Sequence, residues 1–412
     1  MEKINKLYKV IISQSNLYYL FLVDIIIKGL NLLLIIYFAK KMTIDNFGKL
    51  SLLMTFFTYF LIVIEFGTSH LALRDFVNLK KKEKEVFLIN VFTLKFLLTL
   101  ITVCIFIIMF YNENISILIY FSLLLFLSSF ANDWYFKSLY KNSLLFKSYL
   151  FGIIGYSYLL FIDSYLISDY FIIRNMFIGI SIIFILYYIF QDMSMSFQKI
   201  SINYMLDIIK KAYPIFISTI AVTIYYNSDV IMLDYFKTVY EVGIYSAYYK
   251  FVFIFLTIKS VIIGYLTSKL SYHFKNKNFK TFFSTIEKII LYVFIIVSLL
   301  LIIIYSQQDI IINVLFGNKY IINNSHELLF ILFFTIIVTY LYLLFPSVQI
   351  IIGNQKIFMY YTIIASLINI SANFYLISKY SFIGAAYSTL ISEIFLFFIF
   401  SYKYFSLRKQ YV

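Results

Sequence analysis

Leu17 to Ala39 read LYYLFLVDIIIKGLNLLLIIYFA, an apolar run long enough to cross a bilayer. About 20 such residues, rising about 1.5 Å each in a helix, match a hydrocarbon core of roughly 30 Å. Near the middle of the run stand Asp24 and Lys28, four positions apart, so on a helix they share a face and can pair. A charge at that depth costs several kcal/mol against lipid, and such residues face a protein interior or a water-filled cavity. This span therefore needs partner helices.

The rest of the chain supplies them. Runs of roughly 17 or more mostly apolar residues give about twelve spans. They are 17–39, 48–66, 86–111, 115–131, 144–162, 171–190, 212–236, 245–267, 282–305, 326–350, 357–377 and 382–402. With 62% of its 412 residues hydrophobic and 13% charged, the chain carries more apolar surface than a soluble domain can bury. The expected fold class is all-α, a polytopic membrane protein. No connection is long enough for a folded soluble domain, and the apolar run beginning at Leu17 is too long for a cleavable signal peptide.

The net charge of +14 is a topology signal here, because the basic residues gather in short loops between apolar runs. Nucleic acid is not an expected partner. Lys3, Lys6, Lys9, the Arg74–Lys84 loop, the Lys137–Lys141 loop, the Lys199–Lys211 loop, the Lys269–Lys280 loop, Lys356 and the C-terminus hold roughly 20 basic residues. The other side has about six, among them Lys40, Lys41 and Lys319. Both termini are expected in the cytoplasm, which requires an even number of spans. The single Cys104, inside an apolar span, is expected to be a buried thiol and excludes an intramolecular disulfide.

A short internal repeat divides the chain. Phe47-Gly48-Lys49-Leu50-Ser51 and Val242-Gly243-Ile244-Tyr245-Ser246 open the second span of each half. Two six-helix lobes, 1–200 and 201–412, related by an axis along the membrane normal, are the expected organisation.

Seven stretches in order carry a family likeness: YFAKKMTIDNFGKLS (37–51), EFGTSHLALRD (65–75), NDWYFKSL (132–139), PIFISTIAVTIYYNSDVIML (214–233), VGIYSAYYK (242–250), LFGNKY (315–320) and NISANFYLISKYSFIGAAYSTLISE (369–393). Through them the chain resembles the Wzx-type polysaccharide (O-antigen repeat-unit) flippases of the multidrug/oligosaccharidyl-lipid/polysaccharide exporter (MOP) superfamily. The resemblance implies a MATE-like fold of two six-helix lobes. It further implies translocation of an undecaprenyl-pyrophosphate-linked oligosaccharide repeat unit across the bacterial inner membrane, for O-antigen or other surface polysaccharide, by alternating access. Membrane lipids, a polysaccharide polymerase and a chain-length regulator are the partners it suggests. No bound cofactor is expected; a proton or sodium gradient is the expected energy source. Departures exist: Asn227-Ser228 precede Asp229 where the family often has a basic residue, Lys137-Ser138 replace Gln-Gly, and Ser378 and Ser381 stand where Pro and Gly are usual.

A diphosphate and sugars cannot enter hydrocarbon, so such a transporter needs a polar cleft with cations for phosphate. Lys28 is either a phosphate contact or the structural partner of Asp24. Lys95 is either a cavity cation or a second partner for Asp24. Lys250 matches the family motif, against an interhelical salt bridge with Asp229 at a similar depth. Lys259 falls on the opposite helix face and is expected to snorkel. Arg74 is either a gate or headgroup contact or a plain positive-inside residue. Glu393 is either a proton- or cation-coupling group or a neutral carboxyl bonded to a neighbouring helix. Asn369 and Asn373 share a face of span eleven and either meet sugar hydroxyls or join helices. Trp134 and Tyr135 read as interfacial belt or packing.

No Walker A loop, dinucleotide glycine motif, Cys/His metal spacing or nucleophile elbow is present, and His70, His273 and His326 are scattered. An enzyme is not expected. The competing reading is an ion-coupled multidrug or small-molecule exporter of the same superfamily. Unpaired Asp24 or Glu393 beside no accessible cation would favour it.

Overall fold

The computed structural model describes residues 18–162, 165–193 and 200–411. Lys3, Lys6, Lys9 and Lys199, counted above toward orientation, lie outside the described residues. Eleven helices are long and apolar enough to cross a membrane: α1 Tyr18–Lys41, α2 Ile44–Glu65, α3 Lys81–Met109, α4 Ile115–Ser138, α5 Asn142–Phe161, α6 Ile167–Asp192, α7 Ile202–Phe236, α8 Val239–Lys275, α9 Phe279–Ser306, α10 Ser325–Ile351 and α11 Gln355–Tyr411. The chain is a multi-pass integral membrane protein. Helices are the required solution, because in hydrocarbon every backbone N–H and C=O must be satisfied within its own segment.

The last helix accounts for the difference between eleven and the expected twelve. α11 is 57 residues long and broken at Ser381, whose backbone is non-helical (φ 53°, ψ −134°). A Cβ on Gly384 would strike the Leu376 carbonyl, so the second arm turns back tightly on the first at a residue without a side chain. Each arm exceeds about 20 residues, enough to span.

Two compact units divide the described residues at Ile220/Ala221, against the expected 200/201; Ala39–Thr55 groups with the second unit. The first unit is built on an aromatic core in which Phe76, Phe87 and Trp134 meet edge to face, with Trp134 and Tyr135 both buried. These two aromatics pack; they do not form an interfacial belt. The second unit centres on Tyr225, Phe283, Tyr342, Phe345 and Tyr404, with Phe345 and Tyr404 stacked at 4.1 Å.

Within the second unit the two glycines of the internal repeat meet. A Cβ on Gly48 would collide with the Val239 carbonyl and lie 2.9 Å from the Gly243 nitrogen. One on Gly243 would strike the Ile44 carbonyl. Small residues at a helix crossing let backbones approach this closely. The α1–α2 turn is tied down beside this crossing: Lys319 donates to the carbonyls of Lys40 (2.9 Å) and Met42, and Lys40 donates to that of Val314 (2.8 Å). Each lysine thus satisfies orphan carbonyls at a helix end, where cations are favoured. Burial among these groups holds the Lys319 amine below its usual range. Three of the motif stretches, 37–51, 242–250 and 315–320, are explained by this junction.

Candidate functional site

The charges predicted from sequence fall into two chemically different sets, one in each unit. In the first unit Asp24 and Lys28 pair at 3.2 Å, each side chain 43% exposed. Asp24 caps a π-helical stretch, Ile25–Gly29, inside α1, and Lys28 lies within it; single π turns are frequent at functional positions. Lys95 does not turn to Asp24. Its ammonium, 0% exposed, donates to Glu65 Oε1 at 2.6 Å and to Asn132 Oδ1 at 2.9 Å. The same Asn132 oxygen accepts from Trp134 Nε1 at 2.8 Å, and Ser69 donates to Glu65. A lysine three turns into an apolar helix is tolerated here because its charge is matched by an acid across the helix pair and a second oxygen fills another donor site.

Arg74 lies away from this cluster, exposed on the short helix Thr68–Asp75. It binds Asp75 through two hydrogen bonds of 2.6 and 2.9 Å. This pairing holds the Asp75 carboxyl below the usual range and raises the Arg74 guanidinium. Two cavities open on Glu65. One of about 430 Å³ is lined by Glu65, Ser69, His70, Asp133, Trp134 and Lys137. The other, about 170 Å³, is lined by Asn31, Glu65, Ser128, Tyr149 and Arg174. Glu65 and Arg174 were not among the predicted site residues. Glu65 stands at the end of its span and Arg174 three residues into span 171–190; the burial of Arg174 and the pairing of Glu65 with Lys95 are visible only in three dimensions.

The second unit holds its acids differently. Asp229, on α7, is buried and accepts from three groups, on α8 and on both arms of α11. Asn373 donates to Oδ1 at 2.5 Å; Thr389 and Tyr245 donate to Oδ2 at 2.8 and 2.6 Å. Asn369 backs this cluster, its Oδ1 accepting from Asn373 (3.0 Å) and Ser228 (2.8 Å). The turn at Ser381 makes the arrangement possible, since Asn369 and Asn373 lie on the first arm of α11 and Thr389 on the second. No cation pairs with Asp229 among the described residues. The interhelical bridge to Lys250 weighed above is absent: Lys250, half-buried on α8, makes no ion pair or hydrogen bond among the described residues.

Glu393, one turn beyond Thr389, is buried and accepts from Tyr225 at 2.8 Å and from Tyr342. Lys259 rests over the Tyr342 ring, 4.7 Å from its centroid, in place of the expected snorkelling. Asp229 with Asn369 and Asn373, and Glu393 with its two tyrosines, thus form two buried polar clusters within the second unit. Among the described residues no group of three or more His, Cys, Asp or Glu could hold a metal ion by itself.

Buried polar clusters lie inside the helical bundles, and the chain turns back on itself at a broken last helix. Its fold is that of the MOP-superfamily transporters. It is similar to the solved structure of the lipid II flippase MurJ in an inward closed conformation, with a TM-score of 0.68 at 18% identity over 96% of this chain and 87% of that one. An inward-facing multidrug resistance MATE family transporter of the MOP superfamily matches with a TM-score of 0.71 at 14% identity, over 92% and 94% of the two chains. A MOP superfamily transporter from Pyrococcus furiosus, described as having a binding pocket of reverse polarity, matches at 0.59 and 12%, over 97% and 96%. No curated protein matches the sequence. The family model for polysaccharide biosynthesis protein matches residues 13–268, more than half of the chain. The chain belongs to the polysaccharide biosynthesis protein family.

Proposed function

We propose that the protein is a flippase that carries an undecaprenyl-pyrophosphate-linked oligosaccharide repeat unit across the bacterial inner membrane, by alternating access, for assembly of O-antigen or another surface polysaccharide. The observation that carries this reading is Lys250. It is a cation on a membrane-spanning helix with no acid beside it among the described residues, in a member of the polysaccharide biosynthesis protein family. An ammonium at that depth without a counter-charge is unfavourable until an anion arrives, and a lipid diphosphate supplies one. Lys28, Lys95 and Arg74 are each matched by an acid of their own, so Lys250 is the stronger phosphate contact of the sequence candidates.

Asp229 is the coupling group in this proposal. A carboxylate ringed by neutral donors and carbonyl oxygens can exchange its charge for a proton or a bound monovalent cation without breaking an ion pair. The exporter reading asked for an unpaired Asp24 or Glu393 beside no accessible cation; Asp24 is ion-paired with Lys28, and Glu393, held by the Tyr225 and Tyr342 hydroxyls, has Lys259 over the Tyr342 ring. Both termini in the cytoplasm, and a non-enzymatic role served by the gradient and not by a bound cofactor, belong to the same proposal. A polymerase and a chain-length regulator would take the product.

Complementation tests it. In a deletion strain, wild-type protein should restore surface glycan, while Lys250→Ala, present at normal levels, should leave lipid-linked repeat units on the inner leaflet. Surface glycan unchanged by the deletion itself, with altered drug tolerance, would replace this reading with the exporter.

A further inference from the structure

The cations of the first unit can be sorted by what neutralises them. Lys28 has Asp24, Lys95 has Glu65, and Lys137 lies 3.9 Å from Asp133. Arg174, on α6, has no acid within ion-pairing distance among the described residues. It is only 7% exposed. One of its terminal nitrogens donates to the Asn31 side-chain oxygen, and its Nε is buried with no hydrogen-bond partner. A guanidinium offers five N–H donors in a fixed planar fork, so most of this one's capacity is unspent. A buried, unneutralised and underbonded cation is strongly unfavourable unless something completes it.

What completes it has a place to sit. Arg174 lines the cavity of about 170 Å³ together with Asn31, Ser128 and Tyr149. At about 30 Å³ for each water in the liquid, that space holds several waters, or one tetrahedral oxyanion. The single acid lining it, Glu65, is engaged by Lys95 and Ser69 and is not free to pair with the guanidinium. Asp133, further off, is bound by the Tyr149 hydroxyl at 2.7 Å. Ser181 adds a hydroxyl, and the rest of the lining is apolar, Phe57, Leu61 and Phe177 among it.

We propose that Arg174 is an oxyanion-binding residue of the first unit that takes a phosphate of the lipid-linked substrate. This inference rests on the flippase reading and adds a subsite to it. Two oxygens of one phosphate match the open edge of the guanidinium, the geometry in which arginine outperforms lysine. Asn31 holds the fork in position from α1.

The test is equilibrium binding of radiolabelled farnesyl diphosphate to the purified full chain in phosphatidylcholine nanodiscs. Saturable binding is expected, at least tenfold weaker in Arg174→Gln, partly kept in Arg174→Lys, and competed by inorganic pyrophosphate but not by farnesol. Asn31→Asp is the second variant: it keeps the guanidinium and gives it an internal carboxylate, and it should weaken binding as strongly as Arg174→Gln even if the latter folds poorly. Unchanged affinity in Asn31→Asp and Arg174→Gln, or no saturable binding to the wild-type protein, overturns the proposal. So does equal competition by phosphatidylglycerol, which would assign the site to bulk lipid headgroups. The two readings fail separately. Intact transport in Arg174→Gln alongside blocked transport in Lys250→Ala removes only the Arg174 site, whereas the exporter phenotype of the deletion strain removes the flippase.

Discussion

The two units solve the same problem, a charge inside a membrane bundle, in opposite ways. In the first, Lys95 meets Glu65, and the pair is completed by Asn132 and Ser69. In the second, Asp229 and Glu393 are held by tyrosine, threonine and asparagine side chains, with no base hydrogen-bonded to either among the described residues. An ion pair fixes both charges, because removing either strands the other. A ring of neutral donors fixes the place but not the charge, since hydroxyls and amides can rotate to suit a proton or a cation. The comparison teaches which buried acid can be exchanged during a cycle and which can only hold helices together. It also separates Glu65, a structural acid that touches two cavities, from Asp229, which touches none of them and is free of base.

The sharpest break would come at Lys95. Lys95→Met leaves the Glu65 carboxylate without its cation, a loss on the order of 3–5 kcal/mol. The expected outcome is failure to accumulate folded protein, read by fluorescence-detected size-exclusion chromatography. Lys95→Met combined with Glu65→Gln should recover most of it, and a double variant as unstable as the single would deny the pairing. Next in size, Asp229→Asn should leave folded yield near wild type while lowering repeat-unit translocation at least about tenfold and removing its dependence on the ion gradient. If Asp229→Asn behaves like Lys95→Met, the two units do not differ as argued.

Smaller effects sharpen the contrast. Tyr225→Phe removes one neutral donor from Glu393 and should cost about 1 kcal/mol, seen as a modest drop in the thermal midpoint, because Tyr342 still donates. A loss as large as that of Lys95→Met would mean that the tyrosine is indispensable to a fixed charge. Ser381→Gly is expected to stabilise, by up to about 1 kcal/mol. The φ of 53° with ψ of −134° belongs to the first central position of a type II′ turn, where a Cβ is strained. A lowered thermal midpoint in Ser381→Gly would show that the serine makes a contact that outweighs the strain.

How much of this was legible beforehand follows the same physical division. The spans were readable because a helix in lipid must be apolar over its own length, a local property of contiguous residues. Even so, α7 extends back to Ile202, ahead of Pro214, because an amphipathic end outside the hydrocarbon carries no strong hydropathy signal. The candidate charges were readable as charges at depth. Their partners were not: Lys95 and Glu65 are 30 residues apart, and Asp229 and Thr389 are 160. Arg174 stands three residues into span 171–190, where the criterion that found Lys28, a charge near the middle of an apolar run, does not reach.

From sequence alone, then, come the membrane, the twelve spans, the family likeness and the rule that buried charges need company. Hydropathy and motif order act along the chain, and a single sequence displays them in full. The tertiary structure alone decided which charges found that company: Lys95 with Glu65, Asp229 with neutral oxygens and amides, and Lys250 and Arg174 with no acid among the described residues. Partner choice depends on where helices cross and where the last one turns back, at Gly48 against Gly243 and at Ser381. Those crossings are set by close packing between segments distant in sequence, where the absence of one Cβ outweighs any local preference.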